Sequence, residues 1–206
     1  MAQIKISYAI LACDEAPELE QLLTFLHKHK REGDEIVVLL DDNNYTALTE
    51  EIAGKYADKL SYRKLNRDFA AQKNALIKMC DGDYIFNIDA DELPSEYIMS
   101  NLHDLIESNN NVEVYWVPRI NTVDGITAGH IGEWRWRVND KGWVNWPDFQ
   151  MRIFANTSAI RWKNPVHEIL TGYTVYAHLP TEEDWAIKHH KTIDRQERQN
   201  AFYETI

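Results

Sequence analysis

Tyr84-Ile85-Phe86-Asn87-Ile88-Asp89-Ala90-Asp91-Glu92 is an apolar run that ends abruptly in carboxylates. A short continuous apolar segment bounded by turn-forming residues predicts a buried strand of a sheet covered on both faces. Carboxylates crowded at the mouth of a strand repel one another unless something positive sits among them. Two readings stand for Asp89-Ala90-Asp91. One is a site for a hard divalent cation with oxygen ligands, Mg²⁺ or Mn²⁺, whose open positions take the phosphates of a substrate. The other is a solvated acidic turn opening the next helix, where Asp and Glu are favoured. Glu92 reads as a helix-start carboxylate.

Upstream, the same pattern repeats. Ile4 to Ala12 is a β-branched apolar segment, and Asp14-Glu15-Ala16-Pro17 supplies a cap and an early proline for a helix to about Lys30. Leu19, Leu22, Leu23 and Leu26 keep its helical period. Glu35 to Leu40 is a second strand ending in Asp41-Asp42-Asn43-Asn44, followed by a helix from Thr46 to Tyr56. Leu60 to Leu65 is a third strand, Phe69 to Cys80 a third helix and Asp83 to Ile88 the fourth strand. Strands alternating with helices predict right-handed crossovers and a doubly wound parallel sheet. Asp14-Glu15, Asp41-Asp42 and Asp89-Asp91 then share its carboxyl edge, where ligands bind in open α/β sheets. No glycine-rich phosphate loop of either common type occurs, so a nucleotide's phosphates would be held by metal and cations.

Downstream of a helix at Ser95 to Ser108 the pattern changes. Val112 to Ile120 is a strand, and Ile126 to Trp162 alternates aromatic and polar residues, which predicts antiparallel strands and loops. Gln150 to Phe154 and Ala159 to Trp162 read as a hairpin around Asn156-Thr157-Ser158. Val166 to Leu170 and Tyr173 to Ala177 are further strand candidates, Asp184 to Lys191 an extended piece, and Thr192 to Glu204 a polar helix.

A chain of 206 residues with 44% hydrophobic composition can bury one sizeable core, and residues 1–206 are expected to form one domain. A formal charge of -11 and a pI near 5.1 argue against nucleic acid or anionic lipid as partners. Cys13 and Cys80 make no disulfide framework and read as small buried hydrophobes, consistent with a reducing compartment. No run approaches the ~18 apolar residues of a membrane span, and Met1 to Lys5 leads directly into a strand, so a cytoplasmic protein without a transmembrane segment is expected.

The order of these pieces resembles glycosyltransferase family 2 on the GT-A fold. The resemblance rests on Ile4 to Glu15, Val37 to Asp42, Asn66-Arg67-Asp68-Phe69-Ala70-Ala71-Gln72-Lys73-Asn74-Ala75-Leu76 and Gly82 to Glu92. Further on, Pro147 to Phe154, Val166-His167-Glu168 and Ile187 to Thr192 with Arg195, Gln199, Asn200 and Tyr203 look like the bacterial branch that decorates cell-surface glycans. The resemblance implies a Rossmann-like, mostly parallel α/β sheet flanked by helices, with a small antiparallel portion and a C-terminal helix. Residues 1–94 would bind the nucleotide sugar and 95–206 the acceptor.

It also implies roles. Asp41 would accept a hydrogen bond from the uracil ring, or merely cap the next helix. Glu15 and the backbone near Ala12 would line the nucleoside pocket, and Lys73 and Arg67 would face base or diphosphate, unless they are ordinary solvated charges. Asp89 would touch ribose or metal, and Asp91 would ligate a Mn²⁺ or Mg²⁺ ion bridging the two phosphates. His189 sits best on the pattern for a further metal ligand, with His190 and His167 as rivals. Lys191 and Arg195 would add phosphate-binding cations. The family inverts by direct displacement, which needs one general base and no protein nucleophile; Asp148 and Glu168 are the candidates, each equally able to sit in a structural salt bridge.

The implied activity is metal-dependent, inverting transfer of a sugar from a nucleotide-diphosphate sugar, a UDP-sugar foremost, to a hydroxyl acceptor such as a glycan. Trp134, Trp136, Trp143 and Trp146 would stack on the acceptor or cover the sheet. The alternatives are a glycan- or nucleotide-sugar-binding protein without turnover, and a nucleotidyltransferase, for which the expected glycine-rich basic loop after the first strand is missing between Leu11 and Pro17.

Overall fold

The computed structural model describes residues 3–203 and 205. The first half builds a parallel sheet with its crossovers: β1 (Ile6–Ala12), α1 (Ala16–His29), β2 (Glu35–Asp41), α2 (Ala47–Tyr56), β3 (Lys59–Arg63), α3 (Phe69–Ile77) and β4 (Tyr84–Asp89). Every residue of β2 is buried, as the unbroken apolar run demands of a central strand. Packing of α1 through Leu19, Leu22, Leu23 and Leu26 against Ile6, Tyr8, Ile36 and Val38 forms the core on one face of this half. Gly82 opens the β4 segment because a Cβ there would lie 2.6 Å from the Ser7 backbone nitrogen.

The second half returns on the same sheet. β5 (Glu92–Pro94) and α4 (Glu96–Ser108) follow β4, then β6 (Val114–Asp124), α5 (Ala128–Glu133), β7 (Val144–Ala155), β8 (Arg161–Lys163), β9 (Ile169–Thr171), β10 (Tyr176–His178), β11 (Ile187–Thr192) and α6 (Ile193–Tyr203). The 9-stranded sheet runs β3-β2-β1-β4-β7-β6-β11-β5, with β10 paired to the start of β6. Strand β7 lies antiparallel to both β4 and β6, and β11 runs parallel to β6. The mostly parallel α/β sheet, the small antiparallel portion and the C-terminal helix all match expectation.

Several boundaries differ. The expected hairpin around Asn156-Thr157-Ser158 is absent: β7 pairs with β4 and β6, while β8 pairs with β9. The run from Gln150 to Phe154 finds more apolar area inside the main sheet, with Phe154 and Ile153 fully buried there. A short helix, α5, stands where strands and loops are expected, closed by a capping box in which His130 replaces the usual Glu or Gln. Glu92 does not start a helix. It lies in β5, 1% exposed, and Ser95 caps α4 instead by accepting from the Ile98 nitrogen at 3.0 Å. Glu15, too, supplies no side-chain cap to α1; its Oε2 accepts from the Cys13 nitrogen at 2.8 Å.

Candidate active site

The acidic ends of β1, β2 and β4 lie side by side, because the register sets Leu11 against Asp89 and Ala12 against Leu40. At the end of β2, Asp41 is buried and fully engaged: its carboxylate accepts from the Leu65 nitrogen at 3.0 Å, the Asn43 nitrogen at 3.3 Å and Asn44 Nδ2 at 2.6 Å. Glu15, between the Cys13 nitrogen and Arg195, has its carboxyl raised chiefly by burial. Among the described residues, Cys13, Asp14 and Glu15 bring ligand-type atoms within 4.8 Å of one another.

The two aspartates of Asp89-Ala90-Asp91 have different surroundings. Asp89 bonds to Arg152 at 2.5 Å; burial opposes its charge, but Arg152, Lys73 and Arg119 outweigh that and hold the carboxyl well below the usual range. Asp91 faces His189 Nε2 at 3.2 Å, Arg195 at 3.3 Å and Lys191 at 3.9 Å. Burial would raise its carboxyl, yet His189 and Lys191 bring it down to about 2. Burial also lowers the Lys191 ammonium, whose nearest partner is Gln199 of α6.

A polar face of β5, β6, β7 and β11 supports this pair. Alternation along β7 turns Asp148, Gln150 and Arg152 to one side. Arg152 joins Asp89 to Glu92; Arg119 Nη1 bonds to Glu92 at 3.0 Å, and its Nε and Nη2 bond to Asp148 at 2.9 and 2.7 Å. Asn121 Nδ2 reaches Asp148 at 2.8 Å, and Asn121 Oδ1 lies 2.7 Å from His189 Nδ1. The two aspartates are thus the ends of one continuous chain of polar contacts. Asp148 also accepts from Gln150 at 2.7 Å, and although burial works against its charge, Arg119 and Asn121 hold its carboxyl below the usual range.

Opposite this face stands Lys73, with Glu168 Oε1 at 2.8 Å and its ammonium 4.5 Å from the centre of the Trp162 ring. Burial raises the Tyr203 hydroxyl, with Asp89, Glu168 and Asp91 adding to the effect, which brings α6 into the same cluster. The structure therefore gathers Asp89, Asp91, His189, Lys191, Arg195, Lys73, Glu168 and Glu15. Arg67 stands apart, exposed, with a backbone φ of 59° and its Nη1 on the Thr205 carbonyl at 3.0 Å. His190 points to the other side of β11, toward Thr122 and Asp124, and His167 packs its ring against Tyr203. Arg119 and Asn121 are not among the residues the sequence singles out, and Glu92, expected to open a helix, instead takes both arginines. The signal for Arg119 and Asn121 is their spacing, two apart on one strand face.

The residues fit a divalent ion at Asp91. Ligand atoms at adjacent corners of an octahedron with roughly 2.0–2.1 Å bonds lie about 3 Å apart, and the carboxylate Oδ2 and imidazole Nε2 are separated by 3.2 Å. A thiol is a poor ligand for a hard ion, which makes Cys13, Asp14 and Glu15 the weaker donor set.

The model of the family described as "Glycosyl transferase family 2" matches residues 7–170. No curated protein matches the chain. Two crystal structures of S. aureus TarS, one of them of residues 1–349, share the fold. The first is 18% identical at a TM-score of 0.50, over 61% of this chain and 23% of that one. The second is 16% identical at the same TM-score, over 61% of this chain and 38% of that one. The chain spans less than two-fifths of the length of either structure. No helix among the described residues is long and apolar enough to cross a membrane.

Proposed function

The chain belongs to glycosyl transferase family 2, and from that premise we propose that it transfers a sugar, with inversion, from a nucleotide-diphosphate sugar to an acceptor hydroxyl. The observation that carries this is the pairing of Asp91 with His189 at the mouth of β4, ringed by Lys191 and Arg195. Asp91 and His189 would hold Mn²⁺ or Mg²⁺, which when bound neutralises charge on the departing diphosphate. Asp89, fixed by Arg152, offers its remaining oxygen toward the ribose. Asp41, Glu15 and the backbone at Ala12 line the base, uracil foremost. Lys73, Lys191 and Arg195 supply the phosphate charge that no glycine loop provides. Two free cysteines agree with reaction in a reducing, cytoplasmic setting.

In the displacement, the acceptor oxygen bonds to the anomeric carbon as the carbon–phosphate-oxygen bond breaks, and a carboxylate takes the hydroxyl proton. Glu168 is the better placed base. Asp148 accepts four side-chain hydrogen bonds, from Arg119, Asn121 and Gln150, so its affinity for a proton is low. Among the described residues Glu168 has the one partner Lys73, which a diphosphate would draw away. That same ion pair favours a second reading, a nucleotide-sugar-binding protein without turnover, since neither candidate base is free.

Release of nucleoside diphosphate separates these readings. With UDP-glucose, UDP-galactose, UDP-GlcNAc and GDP-mannose, we expect Mn²⁺-dependent release from one uridine donor. Glu168→Gln should leave UDP affinity near wild type and slow transfer by roughly 10²–10⁴-fold. Tight UDP binding with no release from any donor would select the binding protein.

A further inference from the structure

His189 is held from behind by a residue that no part of the proposed reaction uses. Asn121 and His189 oppose each other in register on β6 and β11. Asn121 Oδ1 lies 2.7 Å from His189 Nδ1, and Asn121 Nδ2 lies 2.8 Å from Asp148 Oδ2. An amide can be turned either way round, and its neighbours decide which way it points. An ionised carboxylate only accepts hydrogen bonds, and Asp148 is kept ionised by Arg119, which donates to it twice. The end of Asn121 facing Asp148 is therefore the NH₂ group, and the end facing His189 is the carbonyl oxygen. That oxygen accepts, so Nδ1 carries the ring proton. Nε2, 3.2 Å from Asp91 Oδ2, is therefore the ring nitrogen whose lone pair a cation seated beside Asp91 would take.

We propose that Asn121, oriented by Asp148, is the positioning residue that selects Nε2 of His189 as the atom presented beside Asp91 to a divalent cation. The inference rests on the metal reading of Asp91 and His189 above. It gives Asp148 a structural task at the far end of the relay, in keeping with its four accepted hydrogen bonds. It also explains why a neutral amide stands between a histidine and an aspartate. A carboxylate at 121 in the wild-type surroundings would face Asp148 with like charge, whereas an amide reads donor on one side and acceptor on the other.

The test is Mn²⁺ binding in the presence of UDP, read as the dissociation constant from free-ion electron paramagnetic resonance. Pulsed resonance on ¹⁵N-histidine protein reports whether a ring nitrogen is bound. Wild type should show nitrogen coupling. Asn121→Ala and Asp148→Ala should each weaken Mn²⁺ by roughly 10–100-fold and diminish that coupling. The double variant Asn121→Asp/Asp148→Ala keeps an acceptor on Nδ1 of His189, removes the like charge and leaves Arg119 to pair with the new carboxylate, so it should recover both, which a merely structural role would not predict. Wild-type affinity and coupling in Asn121→Ala overturn the proposal, as does a double variant no better than its singles. Should Asn121→Ala fail to fold by circular dichroism, Asp148→Ala and the double variant decide alone. Wild-type protein that binds Mn²⁺ without nitrogen coupling would instead overturn the metal reading, and the inference with it.

Discussion

Arg152 is 3% exposed and stands between two carboxylates, Asp89 and Glu92, with Glu92 itself 1% exposed. A buried ion pair contributes little over a well-packed apolar pair, but removing one partner strands the other charge. Arg152→Met should therefore cost roughly 3–5 kcal/mol in urea unfolding, against almost nothing for an exposed arginine; an unchanged midpoint would refute the role given to it. The same geometry explains why Glu92 is not a helix-start carboxylate. Its Oε2 accepts from the Asp89 nitrogen at 3.1 Å while its Oε1 takes both arginines, so it braces the turn that presents Asp91. Nothing in Asp89-Ala90-Asp91-Glu92 as a string distinguishes these duties, because the arginines that assign them lie 27 and 60 residues away.

Among the helices longer than α5, α6 is held differently from the rest. It has no buried residue, whereas α1 buries Leu19, Leu22, Leu23 and Leu26. Its anchors are Arg195, with Glu18 at 2.7 Å, Glu15 at 3.6 Å and Asp91 at 3.3 Å, and the rings of Phe202 and Tyr203 against Phe69. An element with few buried apolar contacts opens locally at low free energy. Arg195→Ala should speed amide exchange over residues 193–203 by about fivefold, the effect of losing ~1 kcal/mol from a partly exposed ion-pair cluster. Exchange in β1, β2 and β4 should not move; uniform acceleration would mean that Arg195 supports the whole fold. Helix α6 was legible from its polar composition, but its position across Glu15 and Asp91 was not, since amphipathic period says which side of a helix is polar and not where the helix docks. Helix α5 has no usual signal in the sequence, because its capping box uses His130 in place of Glu or Gln.

For the molecule as a whole, the amino end of the sheet carries a second buried carboxylate hub. Glu35 accepts from Ser7 Oγ and the Asp81 nitrogen, each at 2.6 Å, and pairs with Lys59 at 3.0 Å and Lys5 at 3.2 Å, tying β1, β2, β3 and the Gly82 turn. Burial pushes its carboxyl up, but Ser7, the Asp81 amide and the two lysines outweigh it and leave the value lowered from 4.5 to about 2. A lowered folded-state value means stability present above the unfolded value and lost as pH falls between them. Thermal stability should accordingly decline from pH 4.5 toward pH 2, and Glu35→Gln should flatten the decline in that window while lowering stability at pH 7; an identical pH profile for both proteins would refute the assignment. The alternation of apolar runs with helical periods was enough to determine a parallel α/β sheet and to place Asp14-Glu15, Asp41-Asp42 and Asp89-Asp91 on one edge, because buried strands and amphipathic helices are local patterns with periods of 2 and about 3.6. Tertiary structure alone decided which histidine meets Asp91, that Asp148 is enclosed by donors while Glu168 meets Lys73, and that β7 joins the main sheet instead of folding back on β8. Those outcomes depend on register between strands distant in sequence, where a shift of one residue would turn every side chain to the opposite face.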